Sequence, residues 1–174
     1  MTQSPTTRLS VPPRGSALFQ ITVRTGRGEG QTLLSAFDGA LQQAGVADFN
    51  LVTLSSVIPP SGRVVRGQGR LAGGHGDRLL CVQAVAYADH PGEHAWAGVG
   101  WVTDSSGKGL FVEHTGGSRE TVEEQIRLSL ADMVERRGDS YGDREIALAT
   151  AHCVDRPVCA IALAAFQVQG WESA

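Results

Sequence analysis

The run Asn50-Leu51-Val52-Thr53-Leu54-Ser55-Ser56-Val57-Ile58-Pro59-Pro60 constrains the fold more than any other stretch of the chain. Leu51, Val52, Thr53, Leu54, Val57 and Ile58 are the apolar and β-branched types that fill a buried strand. Pro59 and Pro60 have no backbone N–H to give to a ladder, so the strand stops or reaches a sheet edge there. The expectation is one buried strand from about Ala47 to Pro60, with Ser55 and Ser56 held near its stiff end.

A serine hydroxyl is a weak nucleophile unless a base or a constrained geometry assists it. Strained backbone at a strand exit can hold the Ser56 hydroxyl against the Ser55 carbonyl. Attack there converts the peptide into an ester. Elimination then splits the chain and leaves Ser56 as a dehydroalanine, which hydrolyses to an N-terminal pyruvoyl group. For an isolated pair, two small polar residues ending a strand are the simpler reading.

Upstream, Leu18 to Thr25 reads as a first strand, and Gly26, Gly28 and Gly30 as a flexible turn. Thr32 can cap a helix whose apolar face is Leu33, Phe37, Leu41 and Ala44, with Gly45 as its stop. Asp38 falls beside that stripe, as an ordinary solvated carboxylate would. Gly67, Gly69 and Ala72 approach a dinucleotide fingerprint, but Gly73, Gly74 and Gly76 oppose the helix it requires, so a loop is expected.

Leu79 to Ala88, Glu93 to Thr103 and Gly109 to Thr115 read as three strands separated by turns. Ser118 caps a second helix, Arg119 to about Arg137, with Val122, Ile126, Leu130, Met133 and Val134 as its stripe and Gly138 as its end. Glu145 to Val154 and Val158 to Val168 read as a hairpin around Asp155-Arg156-Pro157. Strands outnumber two well-separated helices, an α+β pattern.

The length of 174 residues fits one domain with a sizeable core. A net charge of -3 gives no electrostatic reason to expect nucleic acid or an anionic membrane as partner. No run is apolar enough to span a bilayer. Residues 1–16 carry Pro5, Pro12 and Pro13 but no apolar signal-peptide core, and read as a loose arm ahead of one domain over 17–174. A cytoplasmic location is the default. Cys81, Cys153 and Cys159 form no CxxC pair, and Pro91 and Gly92 deny His90 and His94 a shared helical face, so reduced thiols and no metal site are expected.

The run Ser35-Ala36-Phe37-Asp38-Gly39-Ala40-Leu41, then Ala44-Gly45, then Asn50 through Pro60, resembles the pyruvoyl-dependent arginine decarboxylase family. Gly109-Leu110-Phe111-Val112-Glu113 is similar to that family's segment carrying the catalytic acid, and the resemblance extends from about residue 17 to residue 168. It implies a four-layer αββα sandwich of the pyruvoyl-dependent decarboxylase type: two facing sheets with a helical layer outside each. It also implies a homotrimer, or a dimer of trimers, with active sites between subunits.

For chemistry, the resemblance implies self-cleavage between Ser55 and Ser56 into a β chain, 1–55, and an α chain, 56–174. The cofactor would be the covalent pyruvoyl group from Ser56, with neither metal nor PLP. L-Arginine would form a Schiff base on it, lose CO2, take a proton from Glu113 and leave as agmatine. Keeping Glu113 protonated near neutrality needs about 4 kcal/mol of differential solvation, hence burial or a second carboxylate nearby. The same resemblance makes Asp38 the partner of the substrate guanidinium, which offers a carboxylate two parallel N–H donors. Asn50 would orient the substrate or the pyruvoyl amide, Ser55 would sit beside the new group, and Leu34 and Phe49 would line the pocket. Ala47 stands where relatives often carry glycine, Phe49 is bulky, and Arg63 to Arg78 match poorly. A different amino acid or an arginine derivative therefore stays open as substrate. So does an unprocessed, non-catalytic trimeric assembly protein.

Overall fold

A computed structural model describes residues 19–138 and 140–171; the expected arm over residues 1–16 lies outside the described residues. The last strand, β9 (Val158–Gln169), shows how the layers arise. Cys159, Ile161 and Leu163 face one way and Ala160, Ala162 and Ala164 the other, and all are buried. A strand apolar on both faces must lie inside a sheet covered on both sides. It pairs antiparallel with β5 (Arg78–Ala88) on one flank and β1 (Phe19–Glu29) on the other. β2 (Asn50–Thr53) and β4 (Gly62–Arg66) add parallel edges, giving the order β2-β5-β9-β1-β4.

The second sheet has the order β3-β7-β6-β8, built from β3 (Val57–Ile58), β6 (His94–Thr103), β7 (Gly109–Gly116) and β8 (Glu145–His152). Between the sheets lie alanines of β5, β6, β8 and β9, wedged apart by Trp101, Phe111 and Phe166. α1 (Leu33–Ala44) covers the outer face of the five-stranded sheet, and α2 (Arg119–Arg137) that of the four-stranded one. The result is the expected α+β, αββα sandwich. No helix among the described residues is long and apolar enough to cross a membrane.

Gly26, Gly28 and Gly30 do not make a turn. β1 continues to Glu29, and its glycines are the surface on which α1 rests. A Cβ on Gly28 would sit 2.6 Å from the carbonyl carbon of Gly39 and closer still to Ala36 O; one on Gly26 would sit 2.9 Å from Ala44 N. Close helix–strand approach, not a bend, requires these glycines. It also rotates the buried stripe of α1 to Ala36, Ala40, Leu41 and Ala44, leaving Leu33 40% exposed. The pattern recurs on the other side, where Cβ atoms on Gly98 and Gly100 would run into Val122 and Ile126 of α2. Both helices are capped as expected, by Thr32 and Ser118 at their starts and by left-handed Gly45 and Gly138 at their ends.

Two expected connections differ. The single strand over Ala47 to Pro60 is two short strands in different sheets, β2 and β3, each at an edge, with Val52 and Val57 exposed. β8 and β9 are no hairpin. β8 pairs with β6, and both flanks of β9 are already taken, so the segment after His152 crosses between sheets. β4, unanticipated, pairs with β1. The glycine-rich segment after it forms the expected loop, held by Arg24, whose Nη1 donates to Ala44 O at 3.1 Å and Gly69 O at 2.6 Å.

Candidate active site

The chain leaves the first sheet and enters the second between Leu54 and Val57. Leu54 N donates to Cys81 O of β5 at 2.8 Å. Phe111 N of β7 donates to Ser56 O, also at 2.8 Å. Ser55, exposed, lies between these two anchors. The reversal falls on Ser56, whose φ of 65° is in the left-handed region that L residues other than Asn and Asp seldom occupy. Such a conformation costs of order 1–3 kcal/mol and persists only where the surroundings enforce it.

Strand parity decides what Ser56 meets. On β7, Leu110 and Val112 face α2, whereas Phe111 faces the space between the sheets. Glu113, two residues on, shares the side of Phe111. The Ser56 hydroxyl donates to Glu113 Oε1 at 2.6 Å, the short range of a hydroxyl–carboxylate bond. Burial pushes the Glu113 carboxyl above its ordinary range, while the Ser56 hydroxyl and its own backbone N–H pull it back down. The pair therefore joins a hydroxyl on a strained backbone to a carboxyl that keeps its proton to higher pH than an exposed one. His114 points the other way, into a bond with Ser129 Oγ at 2.8 Å.

The other expected site residues are distributed more widely. Asn50 begins β2; its backbone N donates to Asp77 O at 2.8 Å and its side-chain Nδ2 to Gly76 O at 2.7 Å. Asp38 is exposed on α1, on the far face of the five-stranded sheet, and accepts from Gln42 Nε2 at 3.0 Å. Leu34 is 76% exposed on the first turn of the same helix. Phe49, expected to line a pocket, is instead taken into the core beneath α1, and a Cβ on Gly73 would come 2.8 Å from its Cζ. Within one chain the structure joins Ser56 with Glu113, keeps Ser55 beside them, and leaves Asp38 and Leu34 on another layer. The backbone N of Phe111 and the carbonyl of Gly76 were missed, because main-chain partners carry no residue-type signal. Asp89, His90 and Glu93 offer ligand atoms within 4.8 Å of one another, but on the exposed turn at the end of β5 away from β2.

Comparison with known proteins finds one family over most of the chain. The family model described as pyruvoyl-dependent arginine decarboxylase matches residues 20–169. The chain is 34% identical over 150 residues to the pyruvoyl-dependent arginine decarboxylase of Methanocaldococcus jannaschii, covering 83% of this chain and 87% of that one. It is 36% identical over 138 residues to the protein of that name from Thermococcus kodakarensis, covering 78% and 86%. It is 30% identical over 147 residues to pyruvoyl-dependent arginine decarboxylase 2 of Archaeoglobus fulgidus, covering 83% and 93%.

Proposed function

This chain belongs to the pyruvoyl-dependent arginine decarboxylase family, and on that footing we propose that it cuts itself between Ser55 and Ser56 and then converts L-arginine to agmatine and CO2. The observation that carries the reading is the 2.6 Å bond from the Ser56 hydroxyl to Glu113, made by a serine at φ 65°. A pyruvoyl group made at residue 56 fits these surroundings, with its carbonyl side fixed by Phe111 N and its reactive side facing Glu113.

In self-processing, Glu113 accepts the Ser56 hydroxyl proton as Oγ attacks the Ser55 carbonyl carbon. The C–N bond of that peptide breaks, its nitrogen takes up a proton, and an ester links the two serines. Loss of the Ser56 Cα proton then expels the Ser55 carboxylate, ending the β chain at residue 55. The dehydroalanine left on the α chain takes up water and releases ammonia, which leaves the pyruvoyl group. The first step uses a proton acceptor already in place on the Ser56 hydroxyl, and relief of the positive φ favours it.

Once formed, that group supplies the electron sink that makes loss of carbon dioxide feasible. Glu113 then returns a proton to the substrate carbon, a role its burial favours. Asn50 orients the substrate beside the retained Ser55. Asp38 holds the guanidinium through charge-assisted, paired N–H bonds. Because Asp38 and Leu34 lie on another layer from the Ser56–Glu113 pair, we assign them to the site of a neighbouring subunit in a homotrimer. The exposed edge residues Val52 and Val57 flank the cleavage point and suit such a contact. Three buried, unpaired thiols suit a reducing cytoplasm.

Mass spectrometry of the purified protein tests the proposal. Two chains, with a carbonyl-terminated α chain beginning at residue 56, are expected from the native sequence, and one intact chain from Ser56→Ala. An intact native chain that fails to react with phenylhydrazine refutes it. Carbon dioxide release across amino acids then tests arginine as the preferred substrate.

A further inference from the structure

Resting on that reading of Asn50, the geometry points to Trp171 and Arg78 as positioning residues for the Asn50 side chain, acting through the carbonyl of Gly76. Gly76 closes the glycine-rich loop at φ 84°. Its carbonyl accepts two side-chain donors, Asn50 Nδ2 at 2.7 Å and Trp171 Nε1 at 2.9 Å. Its N–H donates to Asp48 O at 2.7 Å. Arg78 lies directly opposite Asn50 in the β2–β5 ladder. The Arg78 guanidinium stacks over the Trp171 ring at 4.7 Å and donates through Nη2 to Gly170 O at 2.9 Å. Asn50, Gly76, Trp171 and Arg78 therefore form a closed ring of contacts.

The peptide plane that carries the Gly76 carbonyl can turn over about ψ of Gly76 and φ of Asp77, and on the Gly76 side no Cβ opposes the rotation. Here such a turn would withdraw the acceptor and present an N–H to Asn50 Nδ2. The indole N–H holds the carbonyl against it. That fixes the Asn50 carboxamide with Nδ2 toward the loop and leaves Oδ1 to face outward as an acceptor for the substrate. Trp171 is 66% exposed. A large aromatic left in solvent is poorly explained by core packing, whereas a polar handle on a stacked ring explains it.

Steady-state decarboxylation of arginine by the full chain tests this, with Trp171→Phe keeping the ring over Arg78 and removing only the N–H. Loss of one net hydrogen bond predicts a KM raised about 3–10-fold with kcat within about twofold. The same substitution in an Asn50→Ala background should have no further effect. Arg78→Lys, which keeps the charge but loses the stack and the Gly170 bond, should show the same split. An unchanged KM, or an equal loss in the Asn50→Ala background, overturns the assignment. If the cleaved native chain releases no carbon dioxide from arginine, the substrate reading fails instead. The ring is then decided by hydrogen exchange of the Asn50 side-chain amide: protection lost in Trp171→Phe upholds it, and protection retained overturns it.

Discussion

Glu113→Gln separates proton transfer from geometry. Glutamine has nearly the same shape, and its Oε1 can still accept from the Ser56 hydroxyl now 2.6 Å away. Only the capacity to take up and give back a proton is lost. A positioned acid or base contributes roughly 10²–10⁴-fold, about 3–5 kcal/mol of barrier at about 1.4 kcal/mol per tenfold. Both self-cleavage and agmatine formation should slow by that order. Stability should move the other way. Burial raises the folded-state pKa of Glu113 above the ordinary value of 4.5. Below that value both states are protonated, and the group is neutral to stability. As pH rises above it, the unfolded chain ionises first and the fold loses stability, until the folded carboxyl ionises too. Glutamine carries no such penalty. Thermal unfolding of Ser56→Ala and Ser56→Ala/Glu113→Gln compares two uncut chains. The double variant should be the more stable at pH 8, and the two should converge below pH about 4.5. Native rates in Glu113→Gln, or a less stable double variant at pH 8, would refute the reasoning.

Gly28→Ala should destabilise the chain by about 3 kcal/mol or more, since its Cβ meets the backbone of α1 rather than a mobile side chain. For a domain of this size that lowers Tm by about 6–12 °C in calorimetry. Asp38→Asn should raise KM for arginine about 10–100-fold, the loss of a charge-assisted bond, and leave Ser55–Ser56 cleavage intact on gels. Arg24→Ala leaves the carbonyls of Ala44 and Gly69 without their donor. Urea unfolding should show a loss of about 2–5 kcal/mol.

The helices were legible because their ends are chemical. Thr32, Ser118, Gly45 and Gly138 name the caps by residue type, and the structure bears each one out. The glycines of β1 were misread for a related reason. Glycine marks either a turn or a close approach, and the choice depends on α1, which packs there only after folding. The stripe of α1 was misjudged with them. Leu33 outranks Ala36 in hydrophobicity, yet contact with glycine backbone selects the smaller side chain. At the site, Ser56 and Glu113 could be named from residues that resemble a family, but their contact, across 57 positions, could not. Asn50's dependence on Gly76 was hidden for the opposite reason, since any residue could supply that carbonyl.

The split of the Asn50–Pro60 run has a consequence for a chain cut as proposed. Leu54 is tied to β5 and Ser56 to β7, so each side of the Ser55–Ser56 bond is already held by its own sheet. Breaking that bond removes no ladder pairing. The β2–β5 register ends at Thr53, and the β3–β7 register begins at Val57. Had the run been one continuous strand, cleavage would have opened a ladder at its middle and freed an edge. Far-UV circular dichroism of the cleaved native protein and of uncut Ser56→Ala should therefore superimpose. A loss of β signal on cleavage would mean that the new ends leave their sheets. The group proposed to form from Ser56 would then lose its hold beside Glu113.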